Sequence, residues 1–245
     1  VEALIVLEQY TKAKQLILKY QSLAEQRGKS DVVIDFEIAL LNILDRNGVT
    51  NELIALRETL LEKTKIETDK AIVALIYMAL GTSEYTEGNY SIALMHFNKA
   101  YELYQLSKSQ TDISNVLNSI ANIYLSFNDT EKAKQYYIEV LAIYRQQEHK
   151  FSESVVLYNL AKVYEINAQY QKAKKILDEA LTISVAIEDD VGVILVKLAL
   201  AKVYIKEKNW SEALNYYHDI VHHFKSAGDT KNYVDVLIGI SAAQI

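Results

Sequence analysis

The sequence contains no cysteine. Disulfides, thiolate metal sites and cysteine nucleophiles are therefore excluded. The compartment stays open, since cytosolic and periplasmic chains alike can lack the residue. Proline is also absent, and only 7 glycines stand among 245 residues. Both residues interrupt helices, so their scarcity points to a nearly all-helical chain. A basic stripe is missing as well: the formal net charge is −6, which argues against nucleic acid as a partner. No apolar run reaches the roughly 18 to 20 residues of a membrane span. The run at 191–201 is broken by Lys197, and the one at 71–80 is too short. No phosphate-binding loop, nucleophile elbow or dinucleotide fingerprint occurs.

What the sequence does have is a repeat of 40 residues, kept without insertion or deletion. Ala13, Ala93, Ala133, Ala173 and Ala213 share one column, with Leu53 in its remaining copy. Four residues on stand Ile17, Phe97, Tyr137, Leu177 and Tyr217, with Arg57 as the exception. Three beyond those come Tyr20, Leu60, Ala100, Val140, Ala180 and Ile220. Steps of four and three trace one face of a helix. A second register holds Leu40, Leu80, Ile120, Leu160, Leu200 and Ile240. Small residues follow it at Gly81, Ala121, Ala161, Ala201 and Ser241, and three further on stand Tyr124, Tyr164 and Tyr204. A third column is aromatic at Tyr10, Tyr90, Tyr170 and Trp210.

The pattern predicts two helices per repeat. First helices are expected over 31–46, 71–86, 112–126, 152–166 and 191–207, with partners starting near Asn51, Ser91, Glu131, Gln171 and Ser211. Turns within repeats are expected at Asn47-Gly48, Glu87-Gly88-Asn89, Asn128-Asp129, Asn167-Ala168-Gln169 and Lys208-Asn209. Those between repeats fall at Gly28-Lys29-Ser30, 107–111, Glu188-Asp189-Asp190 and Gly228-Asp229-Thr230. Gly, Asn and Asp tolerate the left-handed conformation that ends a helix. Thr50, Ser91, Thr130 and Ser211 are placed to cap the following helices with a hydroxyl. The small column lets the helices of a hairpin approach, and each hairpin buries its remaining apolar face against the next. Val1 sits in the small column and Ile245 falls inside a first helix. The chain is thus expected to be a segment of a longer protein. Its apolar ends, Val1, Leu4 and Leu7 and then Leu237, Ile240 and Ile245, invite self-association.

Leu160, Ala161, Tyr164, Ala173, Leu177 and Ala180 carry a large, small, tyrosine, alanine, large, small order, and so do Leu200, Ala201, Tyr204, Ala213, Tyr217 and Ile220. In this the chain resembles the tetratricopeptide repeat family. The resemblance covers the whole chain. It is strongest over 71–224 and weakest over 31–65, where Leu41, Leu44, Leu53 and Arg57 replace the small, tyrosine, alanine and aromatic residues. The family period is about 34 rather than 40, and the usual closing proline is absent from every copy. The resemblance implies an all-α fold, a right-handed α-solenoid of antiparallel helix hairpins. It would form a single repeat domain over 1–245 of about six periods. It also implies a concave groove lined by first helices that holds a partner protein or extended peptide, with no catalysis, no cofactor and no membrane contact in this segment. Forty-residue copies with polar turns between repeats are similar to two groups of bacterial signalling proteins. One is the sensory or scaffold region ahead of a diguanylate cyclase (GGDEF) or histidine kinase domain. The other is the peptide-pheromone receptors and response-regulator phosphatases of Gram-positive bacteria.

Groove-facing positions are those just off the core columns: Asn115, Asn118 and Asn122, then Tyr158, Asn159 and Lys162, then Leu198 and Lys202. A side-chain amide both donates and accepts, so it can pair with a peptide backbone, and lysines attract carboxylates. Ordinary polar surface is the alternative reading of the same residues. Asn122 and Asn159 match two positions of the carboxylate clamp that some family members use. Asn118 stands where that clamp needs a lysine, and Leu195 and Ala199 replace its later basic pair, so the clamp is not expected. His218 and His222 have the i, i+4 spacing that can place two imidazoles on one metal. No third ligand is evident, so a solvated helix face is expected, with metal binding as the rival. The remaining histidines, His96, His149 and His223, form no pattern. Glu188-Asp189-Asp190 lacks the alternating ligands of a calcium loop. Most of the 18 tyrosines are expected in the core.

Overall fold

A computed structural model describes the backbone of residues 2–46, 50–226 and 228–244, and the side chains of 10–46, 50–226, 228–230 and 232–243. Among these residues the chain forms twelve α-helices and no strand. They are α1 (Glu2–Gln26), α2 (Ser30–Asp45), α3 (Asn51–Ile66), α4 (Lys70–Thr86), α5 (Tyr90–Ser107) and α6 (Gln110–Ser126). Then follow α7 (Thr130–Gln146), α8 (Lys150–Ile166), α9 (Tyr170–Ala186), α10 (Asp190–Lys206), α11 (Trp210–Ser226) and α12 (Thr230–Gln244). The fold class is the expected all-α repeat of antiparallel hairpins. From Lys70 to Thr230 each helix starts 20 residues after the last, half the sequence period. The Asn47-Gly48 turn, Val1, Ile245 and the side chains of Leu4 and Leu7 lie outside the described residues.

Equal spacing follows from one turn used repeatedly. Gly28, Gly88, Lys108, Asn128, Glu148, Ala168, Glu188, Lys208 and Gly228 are left-handed, with φ between 53° and 84°. In eight of these turns the next N–H reaches back five residues to a helix carbonyl, as from Asp129 to Tyr124 and from Gln169 to Tyr164, both at 2.8 Å. This closure satisfies carbonyls that the helix end would otherwise leave open. The α3–α4 junction differs. There Glu67 is extended, and its carboxylate accepts from the N–H groups of Thr68 and Asp69 at 2.7 and 2.9 Å.

The left-handed residue also decides which residue caps the next helix. Thr50 caps α3 as expected, accepting from the Leu53 N–H at 3.1 Å. Ser91, Thr130 and Ser211 do not cap, because they already lie inside α5, α7 and α11. Where a side chain caps such a helix, its oxygen comes from the residue just after the left-handed one, while Asn89, His149 and Gln169 cap α5, α8 and α9 with no side-chain hydrogen bond. Asp129 accepts from Lys132 at 3.2 Å, Asp189 from Gly192 at 3.0 Å and Asp229 from Asn232 at 3.1 Å.

The helices gather into two compact units, Val1–Ile123 and Tyr124–Ile245. In the first, α2 packs on α1, α3 and α4, and α4 packs on α5. In the second, α8 packs on α7, α9 and α10, and α10 packs on α11 and α12. The small column does what its spacing predicted: Ala93, Ala121, Ala133, Ala161, Ala173, Ala201 and Ala213 are all buried. At Gly81 the approach is closer still. A Cβ there would lie 2.6 Å from the Phe97 ring. The first unit's core holds Leu41, Leu44, Leu53, Leu60 and Ile76, and the second's holds Tyr217, Ile220, Phe224 and Val236. Each such large side chain contributes about 1.5–3 kcal/mol on burial.

Arg57 occupies a position that the repeat gives to a large apolar residue. Its guanidinium lies 3.3 Å from Asp45, 3.4 Å from Glu84 and 2.8 Å from Glu87, and Nε donates to Ser83 Oγ at 2.7 Å. Burial works against its charge, but Glu87, Glu84 and Asp45 outweigh that and raise its pKa further.

The tyrosines correct the sequence reading. Only Tyr104, Tyr137, Tyr144 and Tyr217 are buried among the described residues. Tyr124, Tyr164 and Tyr204 are half-buried, because they occupy the last turn of a helix, where the phenol can keep contact with water. Tyr124 stacks on Tyr136 and Tyr204 on Tyr216, with centroids 5.6 and 5.8 Å apart. Lysines lie over such rings, as Lys132 does at 4.9 Å from Tyr124. No described helix is long and apolar enough to cross a membrane.

Candidate functional site

In the first unit, α6 carries Asn115, Asn118 and Asn122 at steps of three and four, which places them along one stripe. Asn115 is exposed, and Asn118 and Asn122 are half-buried. Asn118 Oδ1 is buried and has no hydrogen-bond partner. A buried acceptor left open costs about 1–3 kcal/mol, so an incoming N–H has something to gain once the amide turns to uncover it. Asn122 opens with Ser119 onto a cleft of about 160 Å³, walled by Thr82 and Tyr85 of α4 and Phe97 of α5. A peptide lying on α6 would thus meet an unpaired amide oxygen and a small depression beside it.

In the second unit, α8 presents Tyr158, Asn159 and Lys162, all half-buried. Lys162 Nζ stands 4.1 Å from the centroid of the Tyr158 ring. Burial pushes the Lys162 pKa down, Glu165 opposes this, and Lys202 adds to it. Burial pushes Glu165 up against the pull of Lys206, Lys202 and Lys162. Tyr158 is raised by burial and by Glu165. Lys202 of α10 reaches 3.8 Å from Asp235 of α12. Three lysines and one half-buried glutamate therefore influence one another across α8 and α10, an arrangement suited to carboxylates on a partner.

The expected strip divides between the units: the asparagines of α6 belong to the first, and Tyr158, Asn159, Lys162 and Lys202 to the second. Leu198 is not a groove residue. It is buried with Tyr217 and Val236, because α10 packs against both α11 and α12. Sequence reasoning missed Glu165, although it stands three residues after Lys162 and so on the same helix face. It also missed Lys206. His218 and His222 are exposed on α11. Among the described residues no three metal-ligating side chains gather to hold an ion.

The profile of the tetratricopeptide repeat family matches residues 72–146 and 152–221. No curated protein matches the chain in sequence. Among solved structures, BtubC (BKLC) from P. vanneervenii is similar over 91% of this chain and 92% of its own, with a TM-score of 0.73 and 16% identity. A signal transduction ATPase with numerous domains and a tetratricopeptide repeat sensor, from Pyrococcus horikoshii, has a TM-score of 0.76 and 19% identity. That match spans 91% of this chain but 34% of the ATPase. A Rap protein complexed with Competence and Sporulation Factor has a TM-score of 0.65 and 15% identity, over 99% of this chain and 76% of its own. At these identities the likenesses speak for a shared fold.

Proposed function

The chain belongs to the tetratricopeptide repeat family, and on that premise we propose that it is a protein- or peptide-binding module that holds an extended partner segment on its first helices. The observation that carries this reading is the unpaired, buried Oδ1 of Asn118 on α6. An acceptor in that state is complementary to a backbone N–H. The lysines of α8 and α10 add a preference for acidic segments, and Tyr158 offers an apolar anchor. The proposed role is binding without turnover. Signalling is the setting that the neighbours support. One contains a tetratricopeptide repeat sensor, and a Rap protein is complexed with Competence and Sporulation Factor. The second favours a peptide-receptor-like regulator over a scaffold ahead of a cyclase or kinase.

The test is fluorescence anisotropy with a panel of labelled, extended acidic peptides. Asn118→Ala and Asn122→Ala should each weaken the best binder by about 0.5–1.5 kcal/mol, with circular dichroism unchanged. Lys162→Ala and Lys202→Ala should lower affinity mainly at low salt. A peptide bound equally by all four variants would place the binding face elsewhere.

A further inference from the structure

The first unit breaks the repeat at several positions, and the breaks meet at one cleft. Arg57 replaces the large residue present in all other copies. His96 belongs to the column of Leu56, Tyr136, Ile176 and Tyr216. The copies of Ile92 are Glu52, Lys132, Lys172 and Glu212, and those of Met95 are Ala55, Gln135, Lys175 and Asn215. Positions that are charged, polar or small elsewhere thus carry large apolar side chains here, and they stay 45% and 54% exposed. All four residues line a cleft of about 530 Å³ between α3 and α5, backed by Tyr77 and Leu80 of α4. Its volume lies within the range of small-molecule pockets, roughly 300–1,000 Å³.

His96 brings a buried, unpaired nitrogen to this cleft. It is 6% exposed, and its Nδ1 is buried with no hydrogen-bond partner. The ring stacks on Tyr77 with centroids 5.8 Å apart. Burial holds its pKa below the ordinary histidine range, against Glu84 and with Arg57. Burial thus favours the neutral imidazole, which with its proton on Nε2 accepts at Nδ1. The charged lining residues balance, Arg57 and Lys99 against Glu58 and Glu84, so the cleft favours neither sign of ligand. An unpaired buried nitrogen and an exposed apolar lip each cost stability. A ligand that covers the lip and pairs the nitrogen recovers both.

We propose that this cleft, on the second-helix face of the first unit, is a small-molecule site for an uncharged amphiphile with a flat apolar body and one hydrogen-bond donor. The body lies against Ile92, Met95 and Tyr77, and the donor meets His96 Nδ1. The cleft shares no lining residue with the depression beside Asn122.

Indole and benzofuran test this, since they share a bicyclic shape and differ in the N–H. Both are titrated into the intact chain and followed by NMR shifts. Indole should bind roughly three- to tenfold more tightly than benzofuran. His96→Leu, which restores the residue type of Leu56, should weaken indole and remove the preference. Met95→Lys, as at Lys175, should weaken both probes. Met95 is exposed, so this variant carries the test should His96→Leu lose its helicity. Equal binding of the two probes by the wild type would overturn the proposal. So would a preference that survives His96→Leu, two affinities untouched by Met95→Lys, or no saturable binding at low-millimolar concentration.

Discussion

In the second unit the large residue of the repeat is Tyr137, Leu177 or Tyr217, buried at 0%, 1% and 3% exposure. In the first unit the same position is buried Phe97 in one hairpin and, in another, Arg57, held by Asp45, Glu84 and Glu87. The Arg57 hairpin also departs from the small column, which holds buried Leu41 and Leu53 there, and its helices α2, α3 and α4 start at Ser30, Asn51 and Lys70 rather than at equal steps. The turns of both units mix residue types: Gly28, Gly88 and Lys108 are left-handed in the first, and Asn128, Glu148, Ala168, Glu188, Lys208 and Gly228 in the second. A helical hairpin therefore forms even where the small column and the large position change together. The large position tolerates an aromatic ring, an aliphatic chain or an ion cluster, provided volume is filled and charge is paired.

The largest expected effect breaks this comparison at its most unequal position. Arg57→Leu installs the residue type of Leu177, yet it strands three carboxylates that share a small, poorly solvated space. Removing one partner of a buried ion cluster costs about 3–5 kcal/mol, and urea unfolding should show a loss of that order. A loss under about 1 kcal/mol would make the two units energetically equivalent at this column. A smaller effect is expected at the close approach. Gly81→Ala gains about 1 kcal/mol in helix propensity, but its Cβ would lie 2.6 Å from the Phe97 ring. Overpacking of that kind costs about 1–3 kcal/mol, so the net change should be destabilising. Ala161→Gly, the reciprocal change in the second unit, should cost only about 1 kcal/mol. A Gly81→Ala protein that melts higher than wild type would remove the distinction. The smallest effects belong to the turns. Ala168→Gly and Glu148→Gly relieve a left-handed non-glycine residue and should each add about 0.5–1 kcal/mol. Gly88→Ala should subtract about 1 kcal/mol. Thermal melts of the three single variants check both signs.

The period, the helix starts within two residues and the buried alanines were legible in the sequence, because spacing along one chain dictates which side chains share a helix face. The caps were misplaced by one or two residues. Ser91, Thr130 and Ser211 look like caps, but the left-handed residue sets the register and hands the task to Asp129 or its equivalents. Asn115, Asn118 and Asn122 could be chosen as a stripe from spacing alone. That Asn118 Oδ1 lacks a partner, that Leu198 is covered by α11 and α12, and that most tyrosines stay half-exposed could not.

Arg57 was visible as a break in its column, whereas His96 was not singled out and nothing showed that the two line the same cleft. The sequence by itself determined the all-helical hairpin repeat and its register, since helix formation and turn closure involve residues within a few positions of each other. Tertiary structure alone decided which polar atoms are paired and which are left open. Burial sums over side chains from α3, α4 and α5, or from α8, α10 and α12, and these meet only after the hairpins have stacked.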